Sequence, residues 1–115
     1  MMALFLVTFL LLALGHFMAD YALQGDWLAA HKCPASSVEG VAPHPWIYVM
    51  CGHAATHGLL VYLLVGHPLV ALLEFVAHFL IDLAKCRQWF GIHLDQLLHL
   101  ACKAAWTAGL LYGWF

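Results

Sequence analysis

The sequence predicts an all-α integral membrane protein, a four-helix up-down bundle with a polar interior of histidine and aspartate. Three observations carry that reading. The 115 residues are 65% hydrophobic and 9% charged, far below the roughly 25% charged fraction of a soluble domain. Apolar stretches of about spanning length recur along the chain. Each stretch also carries polar residues four apart, a spacing that stacks side chains on one helix face.

The first stretch, residues 2–24 in "MMALFLVTFLLLALGHFMADYALQ", lacks the positively charged start of a secretory signal and runs on into polar residues at helical spacing. It is expected to be a first membrane helix. Residues 25–44 contain Gly25, Pro34, Ser36, Ser37, Gly40 and Pro43 and read as the single long loop. The second and third helices, 45–65 and 68–86, each open on a proline, which suits a first helical position. Only Gly66 and His67 join them, so they should be antiparallel neighbours. A short loop at 86–92 leads to the fourth helix, 92–114. No linker divides the chain, and 1–115 reads as one domain.

Charge sets an expected orientation. Lys32 lies in the first loop, and Lys85 and Arg87 lie at the third. The positive-inside rule then places loops 25–44 and 86–92 in the cytoplasm and both termini outside, in the inner membrane of a bacterium. Trp27, Trp46 and Trp89 fall at the same boundary, as interface anchors do. Cys33 and Cys86 belong to the loop side, Cys51 and Cys102 to helices, and no Cys-x-x-Cys pair marks a zinc or redox site. Cytoplasmic cysteines should be reduced; a Cys33–Cys86 disulfide would argue for the opposite orientation.

The polar residues form four stripes: His16, Asp20 and Gln24; His53 and His57; Glu74, His78 and Asp82; Asp95, His99 and Lys103. Measured from the loop-side helix ends at about 1.5 Å per residue, Asp20, Asp82 and Asp95 form a carboxylate layer. His16, His53, His78 and His99 lie one turn deeper, and His57, Glu74 and Lys103 form a secondary polar layer beneath. Ionisable groups in a bilayer are expensive and face inward to satisfy one another. Imidazole with carboxylate suits a divalent metal ion, whether zinc, iron or manganese. The four histidines are the expected metal ligands, with Asp20, Asp82 and Asp95 as catalytic residues, further ligands or orienters of the imidazoles. The opposing reading is a metal-free hydrogen-bonded core that fixes helix register. Glu74 and Lys103 are expected to form an ion pair, and His31, His44, His67 and His93 to face solvent. The spacing matches neither His-Glu-x-x-His nor the Glu-x-x-His of di-iron bundles.

The order of "HFMADYALQ", then Trp27 and Lys32, "HAATH", "EFVAHFLIDLAK" and "LDQLLH" resembles domain of unknown function 3307, a family of small bacterial and phage membrane proteins. The resemblance covers about Gly15 to His99 and implies a compact multi-pass membrane domain without implying an activity. A similarity of style to membrane-bound metal-dependent hydrolases, which also place His and Asp on membrane helices, is an analogy only.

Four Lys/Arg against six Asp/Glu leave no basic surface for a phosphate backbone, which excludes nucleic acid as a partner. The first functional reading is a metal-dependent hydrolase of a lipid-linked or phosphate-bearing substrate at the cytoplasmic leaflet. A second is a non-enzymatic accessory subunit of a membrane complex or homo-oligomer, in which Gly52, Gly58 and Gly109 allow close approach of partner helices. A third is proton or metal-ion transport along the polar ladder.

Overall fold

The prolines and glycines that punctuate the sequence act as helix boundaries in the computed structural model, which describes residues 1–115. The chain is all-α, with five α-helices and no strand. Helix α1 (Met2–Phe17) continues into a π-helical turn, Met18–Ala22; α2 spans Gly25–His31, α3 Trp46–Val65, α4 Pro68–Cys86 and α5 Ile92–Tyr112. Pro45 caps α3 and Pro68 opens α4. Gly66 ends α3 at φ 68°, a left-handed conformation that costs a residue without Cβ little.

Two expectations about elements need correction. Residues 25–44 are not a plain loop, because Gly25–His31 are helical and Ala35–Ser37 form a 3₁₀ turn. The first helix does not run uniformly to Gln24. It widens at Met18–Ala22, where the Leu23 N–H reaches the Met18 carbonyl five residues back. Such turns occur often at functional sites, and this one contains Asp20.

The four long helices close a ring. Helix α1 packs against α3 and α5, and α4 packs against the same two. The α3–α4 seam is tight because Gly58 lacks a side chain; a Cβ there would lie 2.9 Å from the Ala71 carbonyl oxygen. Gly58 therefore serves packing within the chain and is not free for a partner helix. Gly52 faces open space.

What the ring encloses is mostly polar. Eight buried residues are hydrophobic, whereas twelve are polar or charged. Leu12, Val61 and Val70 form a small apolar cluster, flanked by Val65, Trp106 and Leu110. The outer faces are apolar, with Leu4, Leu14, Leu63, Leu72, Leu80 and Leu97 all exposed. This reverses the arrangement of a soluble domain. By length and composition, Met2–Ala22 and Trp46–Val65 suffice to cross a membrane.

The basis for the expected orientation does not hold. Lys32 is buried and ion-paired with Asp82, and Lys85 lies 3.7 Å from Asp95. Two of the three charges thus serve the interior instead of marking a cytoplasmic face. Cys33 and Cys86 form a disulfide, a bond that persists in oxidising compartments. Maleimide-PEG labelling of denatured, unreduced protein is expected to modify two thiols, Cys51 and Cys102, and four after reduction. Four modified thiols before reduction would show that the bridge does not form.

Candidate metal centre

The stripes converge. Each of the four long helices sends histidine or aspartate into one cluster: His16 from α1 and Asp20 from its π turn, His53 and His57 from α3, His78 and Asp82 from α4, Asp95 and His99 from α5. None of the eight is more than 8% exposed. Asp20 Oδ1 faces three imidazoles, with His57 Nε2 at 3.1 Å, His53 Nε2 at 3.3 Å and His78 Nε2 at 3.5 Å. Asp82 Oδ2 faces His53 at 3.4 Å and His78 at 3.5 Å, and those two nitrogens are 3.1 Å apart.

These distances have a simple meaning. Consider His53 Nε2, His78 Nε2, Asp20 Oδ1 and Asp82 Oδ2 as four donor atoms. The five distances that involve His53 or His78 measure 3.1–3.5 Å. Ligands at about 2.0–2.1 Å from a tetrahedral zinc ion stand roughly 3.3–3.4 Å from one another. The His53–His78 pair together with either carboxylate therefore has the donor spacing of a metal site.

Unsatisfied atoms point the same way. Asp20 Oδ1, His57 Nε2, His16 Nδ1, His78 Nδ1 and Asp95 Oδ1 are buried without a hydrogen-bond partner. A metal-free core whose purpose is mutual hydrogen bonding should leave few such atoms, because each costs about 1–3 kcal/mol. His57 Nε2 and Asp20 Oδ1 are close yet misaligned for a hydrogen bond, as donors directed at a shared point would be. His78 Nδ1 lies 3.6 Å from Glu74 Oε1. A small shift would let Glu74 fix the tautomer that leaves Nε2 free, the usual role of a carboxylate behind a ligating histidine.

The far side of the cluster is organised by an amide. Gln96 accepts from His16 at 3.1 Å and donates to Asp20 Oδ2 at 2.9 Å and Asp95 Oδ2 at 3.0 Å. His99 Nε2 stands 3.1 Å from Asp82 Oδ1 and 3.6 Å from Asp95 Oδ1. The imidazoles pack as a group, with His78 stacked between His57 and His99 at centroid distances of 3.5 and 4.2 Å.

Some expected residues lie elsewhere. His57 does not belong to a deeper layer with Glu74 and Lys103, since its ring reaches Asp20. The carboxylates and imidazoles interleave in one cluster instead of forming separate tiers. Glu74 and Lys103 do form the expected ion pair, at 2.5 Å, and the Trp106 indole donates to the same carboxylate at 2.7 Å. Of the loop histidines, His93 is exposed, as expected. His31 stacks on Trp27 at 4.2 Å and His44 donates to the His31 carbonyl, so both organise the α2 region.

Sequence reading missed Lys32 and Gln96. Lys32 folds back from the end of α2 onto Asp82 and is also held by Gln24. Beside it lies a loop-side cavity of about 250 Å³ lined by Gln24, Lys32, Ser37, Lys85 and Gln88, which meets the cluster at Asp82 alone. Gln96 sits one residue after Asp95, off the four-residue stripe. The signal for it was its place in "DQLLH", between two stripe residues.

The chain belongs to the family described as Protein of unknown function (DUF3307), whose model matches residues 6–111. No curated protein and no solved structure matches the chain.

Proposed function

For a chain whose family carries no assigned activity, we propose an integral membrane metalloprotein that hydrolyses a lipid-linked or otherwise phosphate-bearing substrate. The convergence of Asp20 and Asp82 on the His53–His78 pair, at 3.3–3.5 Å, carries this reading. In it all four long helices cross the bilayer. Their 19–21-residue lengths, counting α1 with its π turn, give about 30 Å of rise, the thickness of a hydrocarbon core. Helices α4 and α5 are less apolar than the others because they supply Glu74, Asp82, Asp95 and Lys103, all buried and hidden from lipid.

The disulfide supports an orientation with loops 25–44 and 86–92 on the oxidising side and both termini in the cytoplasm. The substrate then enters from the outer leaflet through the cavity beside Lys32 and Lys85, two cations suited to a phosphate group. A metal held by His53, His78 and the facing aspartates would lower the pKa of a water towards neutrality, so that hydroxide could serve as the nucleophile. In this reading Asp95, with its unpartnered Oδ1, takes the proton of the attacking water and passes it to the leaving alkoxide oxygen as the P–O ester bond breaks.

Through-transport has less support. Beyond Glu74 and Lys103 the interior closes on Leu12, Val61 and Val70, which offer no proton carrier or ligand. Protein prepared without a nickel column is expected to carry zinc, iron or manganese that a folded Asp82→Ala variant lacks. It should also release phosphate from a phosphatidate-type ester in mixed micelles, in a reaction stopped by chelator and restored by the ion. Folded wild-type protein free of metal would overturn the reading.

A further inference from the structure

Asp20 and Asp82 each face two ways. Asp20 turns Oδ1 to His53, His57 and His78, and Oδ2 to His16 at 3.4 Å. Asp82 turns Oδ2 to His53 and His78, and Oδ1 to His99 at 3.1 Å. The cluster therefore has two halves, one containing His53, His57 and His78, the other His99 and Asp95, with His16 near Asp20 between them. The two carboxylates span them.

From this geometry we infer that the centre holds two metal ions, bridged by Asp20 and Asp82. The inference rests on the metal-centre reading above and fixes its nuclearity. Eight convergent side chains exceed what one ion takes, since zinc binds four donors and the octahedral ions six. The second half also meets the proximity that ligation requires, because donor atoms of Asp20, Asp95 and His99 lie within 4.8 Å of one another. Lys32 on Asp82 Oδ2 does not block this arrangement, for a carboxylate oxygen has two lone pairs and can accept a lysine on one while binding a metal with the other.

Charge then narrows the substrate class. With neutral imidazoles, the buried carboxylates Asp20, Glu74, Asp82 and Asp95 against the buried ammonium groups Lys32 and Lys103 leave two negative charges. One divalent ion offsets them, and a second leaves the centre cationic. A cationic pair of ions about 3.5–4 Å apart clamps both the attacking and the leaving oxygen of an in-line phosphoryl displacement. The substrate is a phosphate ester or anhydride, whose anionic oxygens complete the site.

Manganese is the probe that separates the outcomes. Full-length protein from cells grown on manganese, purified into nanodiscs, is expected to contain two manganese ions per chain and to give the exchange-coupled EPR spectrum of a carboxylate-bridged pair. His53→Gln and His99→Gln, one from each half, should each retain one ion and an isolated six-line signal. One ion in wild-type protein, or two uncoupled ions, would overturn the bridged pair and leave the single-metal reading standing. Folded wild-type protein without any ion would overturn both. The wild-type count decides the matter even if a variant fails to fold.

Discussion

Asp20→Asn is expected to empty the centre while leaving the fold intact. The amide has the shape of the carboxylate and keeps an oxygen to accept hydrogen bonds. It loses the negative charge that faces His53, His57 and His78 on one side and His16 on the other. Asp20 has no lysine partner, unlike Asp82, so the substitution strands no buried cation. Even groups that merely orient a ligand change metal affinity by about 10–100-fold. Loss of a ligand shared by both halves should exceed about 100-fold on that scale, with hydrolysis lost in parallel. Elemental analysis beside circular dichroism and size-exclusion chromatography in the same detergent checks the result. Were the cluster only a polar core, the introduced amide would hydrogen-bond nearly as well as the native carboxylate; unchanged metal content and activity would therefore sink the metal assignment.

Much of this centre is legible in the sequence because helical periodicity encodes a face. Residues four apart on α1, α3, α4 and α5 share a side, and the cost of burying charge in an apolar medium leaves that side only one direction to point. Depth is less legible. The estimate from Cα rise ignores the tilt of every helical side chain towards its own N-terminus. Helices α3 and α5 begin at the loop side, so His53 and His57 reach up towards it. Helices α1 and α4 begin at the far side, so Asp20 and Asp82 reach down. The opposing tilts merge the expected tiers into one cluster and bring His57 to Asp20. The π turn at Met18–Ala22 adds a residue to one turn and cannot be read from periodicity.

Lys32 and the Cys33–Cys86 bridge were hidden for a different reason. Both depend on where α2 folds, and no repeat in residues 25–44 specifies that. A lysine in a loop is indistinguishable by sequence from one that marks the cytoplasmic side. Only tertiary structure shows that α2 returns over the helix ends and fixes Lys32 at the mouth of the centre, where the disulfide to the end of α4 holds it. The orientation expected from charge loses its support at this point, since two of the three cations it counted, Lys32 and Lys85, are paired with Asp82 and Asp95.

Glu74 and Lys103 provide the sharpest test of which polar residues serve structure. Both are 1% exposed, and they pair at 2.5 Å between the cluster and the apolar seal of Leu12, Val61 and Val70. Removing one partner leaves an uncompensated buried charge, so Lys103→Met alone or Glu74→Gln alone should destabilise the protein by about 3–5 kcal/mol. The double variant should recover most of that loss, because replacing a buried pair by uncharged groups of similar volume is often neutral or stabilising by about 1–4 kcal/mol. The Trp106 indole would keep an acceptor in that variant, now the neutral oxygen of the introduced amide. Unfolding of the four proteins in one detergent closes the cycle. A double variant destabilised by the sum of the two single losses would show that the pair is not coupled. Metal content supplies the second axis: Glu74 touches the centre only from behind His78, so the double variant should keep its metal with weakened affinity. A proton or ion path through the bundle would instead require Lys103, and would fail completely in the same variant. Retained metal and hydrolysis with restored stability would assign Glu74 and Lys103 to the architecture beneath the centre, and the chemistry to the histidines and aspartates above it.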